Sequence, residues 1–191
     1  MLEELGEYPG FVPGVVLSAV AAVALSGWAA GRLGTARGAA LLLIASLGLV
    51  AAATLTPGRE ALAGAVANTL DGCDLSRLGP APLASYLAPG EAFANVLLFL
   101  PLGVAVAMLR RSSRAGLVAL GAVALPFGIE GAQLILTPLG RACQAADVSD
   151  NLAGLAIGLV LGLVAGAGGG RREHRAPPDG PVGTGPVADR H

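Results

Sequence analysis

Five apolar segments of bilayer length constrain this chain more than anything else in it. They run over Phe11–Ala30, Ala39–Thr56, Ala92–Leu109, Ala115–Leu136 and Val148–Gly168. A helix needs roughly 20 consecutive apolar residues to cross hydrocarbon. Lipid supplies no hydrogen bonds, so such segments must satisfy their own backbone and fold as helices. The expected fold is an all-α polytopic membrane bundle of about five transmembrane helices. Its parts are an external N-terminus over 1–10, a transmembrane domain over 11–168 and a disordered cytoplasmic tail over 169–191.

Charge supports the same class. Hydrophobic residues make up 54% of the chain and charged residues 13%, where soluble chains carry about 25% charged. A net charge of -1 leaves no basic surface for nucleic acid. The N-terminus carries Glu3, Glu4 and Glu7 and no basic residue. A secretory signal begins with positive charge, so the first segment is expected to stay as a membrane helix.

The arginines orient the bundle. Arg32 and Arg37 follow segment one, Arg110, Arg111 and Arg114 follow segment three, and Arg171, Arg172 and Arg175 follow segment five. The opposite loops hold only Arg59, Arg77 and Arg141. Basic residues concentrate on the cytoplasmic side, which puts the N-terminus outside and the C-terminus inside. The long loop from Pro57 to Glu91 is then external, with a short surface helix expected over Glu60–Leu70. Glycine recurs at 154, 158, 162 and 166. That face is read as a close helix contact, since small residues let membrane helices approach.

In this topology the polar residues of the later segments gather at one membrane face. Glu130 and Gln133 lie three apart on the fourth segment and share a side of it. Asp147, Asp150 and Asn151 share a face at the start of the fifth, and Asn95 lies near the start of the third. Two readings stand for Asp147: a functional group, or a carboxylate that caps the helix. Glu130 has no capping role, and a carboxylate in hydrocarbon costs about 3 kcal/mol on insertion scales. It needs a polar cavity or a cation, and Arg141 is expected to pair with it, directly or through Gln133 or water. Pro126 just before it is read either as a kink that opens a pocket or as packing. Cys73 and Cys143 both fall in external, oxidising loops, where two thiols can join as a disulfide if the loops touch.

These residues resemble a known family. Asn95-Val-Leu-Leu-Phe-Leu-Pro-Leu-Gly103 is similar to the N-x-x-x-F-x-P-L-G signature of VanZ-like membrane proteins. Glu130-x-x-Gln133, and Arg141 followed by Asp147, Asp150, Asn151 and the glycines, are similar to that family's later motifs. The resemblance covers about 91–168. It implies a small bacterial envelope protein of the cell membrane, from a family named for a link to resistance to the glycopeptide antibiotic teicoplanin. The expected partners are membrane lipids, a cell-wall precursor or an amphiphilic antibiotic, held at the outer leaflet by Asn95, Glu130, Gln133, Arg141, Asp147, Asp150 and Asn151. No cofactor is expected.

Two alternatives belong to other classes. One is an enzyme on lipid-linked phosphates, with Asp147 and Asp150 holding Mg²⁺. Against it, the membrane region has no His or Lys, and His174 and His191 lie in the tail. No catalytic residue is therefore assigned. The other is a small proton-coupled transporter using Glu130. A reporter fused after His191 is expected to read cytoplasmic; an external reading contradicts the orientation.

Overall fold

The computed structural model describes residues 8–64, 72–109 and 112–173, the side chains of 137 and 167–173 apart. Its long helices are α1 (Phe11–Leu33), α2 (Arg37–Thr54), α5 (Glu91–Met108), α6 (Ala115–Ile135) and α7 (Ala145–Glu173). Two short helices, α3 (Arg59–Leu62) and α4 (Leu83–Leu87), lie in the loop between α2 and α5. All five long helices are long and apolar enough to cross a membrane, α7 over Ala145–Gly166. The chain is a multi-pass helical membrane protein.

The helices stack in an order that differs from the chain. α1 packs on α2, α2 on α5, and α5 on α7, with α6 resting on α7 and more lightly on α5. α1 is peripheral and turns Val16, Leu17, Val20 and Trp28 outward. An outward apolar face suits lipid, which offers helices little hydrophobic reason to separate from it.

The contact of α5 with α7 is the most extensive, and glycine makes it so. A Cβ on Gly154 would collide with the Val96 carbonyl, and one on Gly158 with the Leu100 carbonyl. Backbone therefore touches backbone, and dispersion between close surfaces replaces hydrophobic burial as the attraction. Phe99 and Leu102 are fully buried beside this contact.

Hydroxyls inside the bundle fold back on their own helices. Ser46 donates to the Leu42 carbonyl at 2.7 Å, and Thr54 to the Val50 carbonyl at 2.8 Å. At the turn after α1, Gly34 is left-handed at φ 64° and closes the helix. Beyond it, Arg37 Nε donates to Ser26 Oγ at 3.0 Å. Ser112, from the α5–α6 loop, donates to the Leu33 carbonyl at the same end.

Several expectations shift. α7 opens at Ala145, three residues before the expected Val148. The cause is the loop: the Ala145 N–H donates to the Asp74 carbonyl at 2.9 Å, so the first turn is fixed from outside the helix. The expected helix over Glu60–Leu70 is the single turn Arg59–Leu62, and 65–71 lie outside the described residues. So do 1–7, Arg110, Arg111 and the tail from 174. α6 runs through Pro126, which is buried as a packing residue.

Candidate functional site

The polar residues meet at one end of the bundle, where α1, α5 and α7 begin and α2 and α6 finish. Helix ends leave backbone groups without helical partners, and the partners found at the end of α2 and the entrance of α7 build the site.

α2 ends at Thr54, so its last carbonyls are free acceptors. Arg141 donates from a guanidinium nitrogen to the Ala53 carbonyl at 2.7 Å. Gln133 Nε2 donates to the Thr54 carbonyl at 3.2 Å. A cation also suits the negative end of a helix. The Arg141 guanidinium lies 4.3 Å from the centre of the Tyr8 ring, in cation–π contact.

The expected Glu130–Arg141 pair therefore does not form as a direct bond. Glu130 is 5% exposed and accepts the Gln144 backbone N–H at 2.7 Å. The physical reason lies in the ends: α2 offers Arg141 unpaired carbonyls, and the chain entering α7 offers Glu130 an unpaired N–H.

The buried ion pair forms elsewhere. Asp150 is fully buried. Its carboxylate accepts from Arg77 at 2.6 and 3.1 Å, and from the Tyr86 hydroxyl at 2.6 Å. The Ala81 N–H adds a contact at 3.3 Å. The two-pronged bond is the strong geometry for a guanidinium with a carboxylate. Asp150 raises the affinity of the Arg77 guanidinium for its proton, first through that hydrogen bond. Burial, then the bond to Asp150, pushes the Tyr86 hydroxyl above its usual pKa, so it remains a donor.

The same loop is stitched to the α7 entrance a second time. Asp74 and Gln144 form an isolated parallel bridge, with the Asp74 N–H donating to the Cys143 carbonyl at 2.8 Å. Cys73 and Cys143 are joined there as a disulfide, their Cα atoms 4.6 Å apart. It closes a loop spanning 70 residues in sequence. Long closures constrain the unfolded chain most in the chain-entropy account.

α7 consequently presents two polar faces. Asp150 turns to the loop, and Asp147 and Asn151, four apart, turn to a cavity of about 510 Å³. Glu91, Asn95, Glu130, Gln133 and Arg141 also line it. Two buried polar atoms around it lack a hydrogen-bond partner, Arg141 Nε and Asn151 Oδ1, while Asn95 Nδ2 reaches only toward the Asp147 carboxylate. A second cavity, of about 430 Å³, lies between α6, α7 and the loop and is lined mostly by apolar groups such as Leu78, Phe127 and Leu152. Glu130 borders both.

Of the expected residues, Asn95, Glu130, Gln133, Arg141, Asp147 and Asn151 thus surround one space, and Asp150 stands apart from it. With its carboxylate committed to Arg77 and Tyr86, Asp150 does not share a cation with Asp147. Among the described residues no group of three or more His, Cys, Asp or Glu side chains is placed to hold a metal. Tyr86 and Tyr8 escaped the sequence reading, and Arg77 figured in it only as an arginine of an external loop. A signal for Arg77 existed: it lies four residues after Cys73, so a Cys73–Cys143 link would carry it toward Asp150.

Fold and site define a multi-pass membrane protein with a polar cavity at one end of its bundle. Residues 35–166 match the VanZ/LLP1 family, and the chain belongs to that family. The match reaches further back than the motifs near 91, to include α2, whose end Arg141 and Gln133 complete. Comparison with curated proteins finds no match, and comparison with solved structures finds none either.

Removing one partner of a buried ion pair strands the other charge. Arg77→Ala is expected to cost about 3 kcal/mol, the low end of that class because the Arg77 side chain is 33% exposed. Arg141→Ala should cost less, since its main partner is a neutral carbonyl. Thermal melting of the two purified variants in one detergent checks this; an Arg141→Ala protein melting below Arg77→Ala contradicts it.

Proposed function

We propose that this protein is a bacterial cell-envelope membrane protein that binds an amphiphile at the outer leaflet. The polar end sits in the cavity bordered by Glu130, Arg141, Asp147 and Asn151. The apolar part follows the adjoining groove past Phe127 and Leu152. The carrying observation is the convergence of two unpartnered buried polar atoms, Arg141 Nε and Asn151 Oδ1, on one cavity. Leaving such atoms bare costs about 1–3 kcal/mol each, which an occupant or ordered water recovers.

The external side follows from the arginine distribution. Family membership makes a membrane lipid, a cell-wall precursor or a glycopeptide antibiotic the candidate occupant, with antibiotic resistance as the outcome. Asp150 and the disulfide hold the loop over this region; they are framework, and the cavity is the working part.

Native mass spectrometry after mild solubilisation tests the reading. Wild-type protein is expected to carry bound amphiphile, and Asn151→Ala to lose about tenfold of that occupancy, the equivalent of one hydrogen bond to a charged group. Equal occupancy in both, or none in wild type, contradicts it. Expression in a susceptible bacterium should raise tolerance to teicoplanin, and Asn151→Ala should abolish the rise.

A further inference from the structure

The charges around the cavity select among amphiphiles. Among the described residues Glu91, Glu130 and Asp147 border it, against one guanidinium, Arg141. That is a formal excess of two negative charges. The guanidinium is already engaged, with one nitrogen on the Ala53 carbonyl and one face on Tyr8. Glu130 has one oxygen occupied, by the Gln144 N–H, and Glu91 one oxygen in a long contact of 3.4 Å with the Gln144 side chain. The Glu91 and Asp147 carboxylates both lie near enough to Glu130 to repel it.

Asn151 gives an independent indication. It is 2% exposed, it borders the same cavity, and its Oδ1 accepts from nothing. A bare carbonyl oxygen among carboxylates calls for a donor. An N–H-bearing cation answers both the missing donor and the uncompensated charge. A quaternary ammonium brings charge without N–H, and an anionic glycerol head brings hydroxyl donors without the positive charge. Arg141 Nε, also without a partner, lies where an anionic group next to the cation would find a donor.

We propose, resting on the amphiphile-binding reading above, that the cavity recognises a head group carrying a protonated primary amine beside an anionic group. The ammonium sits among Glu130, Asp147 and Asn151 Oδ1, and the anionic neighbour meets Arg141 Nε. This reverses the preference for anions that helix N-termini alone would give at this end of the bundle.

The test uses the full chain in detergent and three lysolipids with one acyl chain: lysophosphatidylethanolamine, lysophosphatidylcholine and lysophosphatidylglycerol. Native mass spectrometry of an equimolar mixture reads their occupancies on the same molecules. The ethanolamine lipid is expected to exceed the glycerol lipid about tenfold, with the choline lipid between, since one charge-assisted hydrogen bond is worth about that factor. Glu130→Gln and Asp147→Asn should each bring the ethanolamine-to-glycerol ratio toward one. The ratio is independent of the folded fraction, so a partly unfolded variant still reports. Glycerol lipid equal to or above ethanolamine lipid in wild type, or a ratio unmoved in both variants, overturns the amine assignment while leaving an amphiphile site standing. Binding of none of the three overturns the amphiphile reading itself. Soluble phosphoethanolamine then separates the sources: displacement of the lipid assigns recognition to the head alone, and persistence assigns it to the head on its chain; either supports the amine.

Discussion

A buried carboxylate at the mouth of a membrane helix has to be answered from outside that helix. Asp150 is completely removed from solvent, and its ion-pair partner among the described residues is Arg77, from outside the helix. Arg77 and Tyr86 come from the loop between α2 and α5, so that loop must lie back across the α7 entrance. The disulfide and the Asp74–Gln144 bridge hold the same return at a second point. The described later part of this long connection, 72–90, is therefore tied down over the α7 entrance. The pair is better regarded as a device that specifies this arrangement than as a large net source of stability, since desolvating both charges offsets much of their attraction.

α7 is the hub of the molecule. Its glycines bring it against α5 backbone to backbone, so its rotation about its own axis is set by contact. That rotation sends Asp150 to the loop and Asp147 with Asn151 to the cavity. Across from it, α2 ends early enough to leave carbonyls for Arg141 and Gln133. The polar residues thus serve two jobs that are separable in space: some complete helix ends, and some border an open volume with atoms left over. The leftover atoms carry the functional reading.

The five spans were legible because apolar length is a one-dimensional signal that needs no tertiary information. The glycine face was legible for the same reason: a four-residue period stays on one side of a helix. The gathering of Glu130, Asp147 and Asn151 at one end followed once alternation of direction was granted. The partner of each charge was not legible. Arg141 is closer in sequence to Glu130 than any other arginine on that side, but the free carbonyls of α2 compete for it, and they are some 90 positions away in the chain. Asp150 and Asp147 are three residues apart and were grouped on one face, yet a helix with partners on several sides divides such neighbours between them. Arg77 sat in a segment with no periodicity, and only Cys73, four residues before it, pointed to its destination.

The cavity among the ends of α1, α2, α5, α6 and α7 is proposed to hold the polar end of an amphiphile. An experimental density map of the protein in a lipid bilayer tests it most directly. The account predicts non-protein density with a compact end within hydrogen-bonding distance of Asn151 Oδ1 and Asp147, continued by a chain along Phe127 and Leu152. A cavity closed by its own side chains, with Asn151 Oδ1 and Arg141 Nε bonded to protein groups, would contradict it.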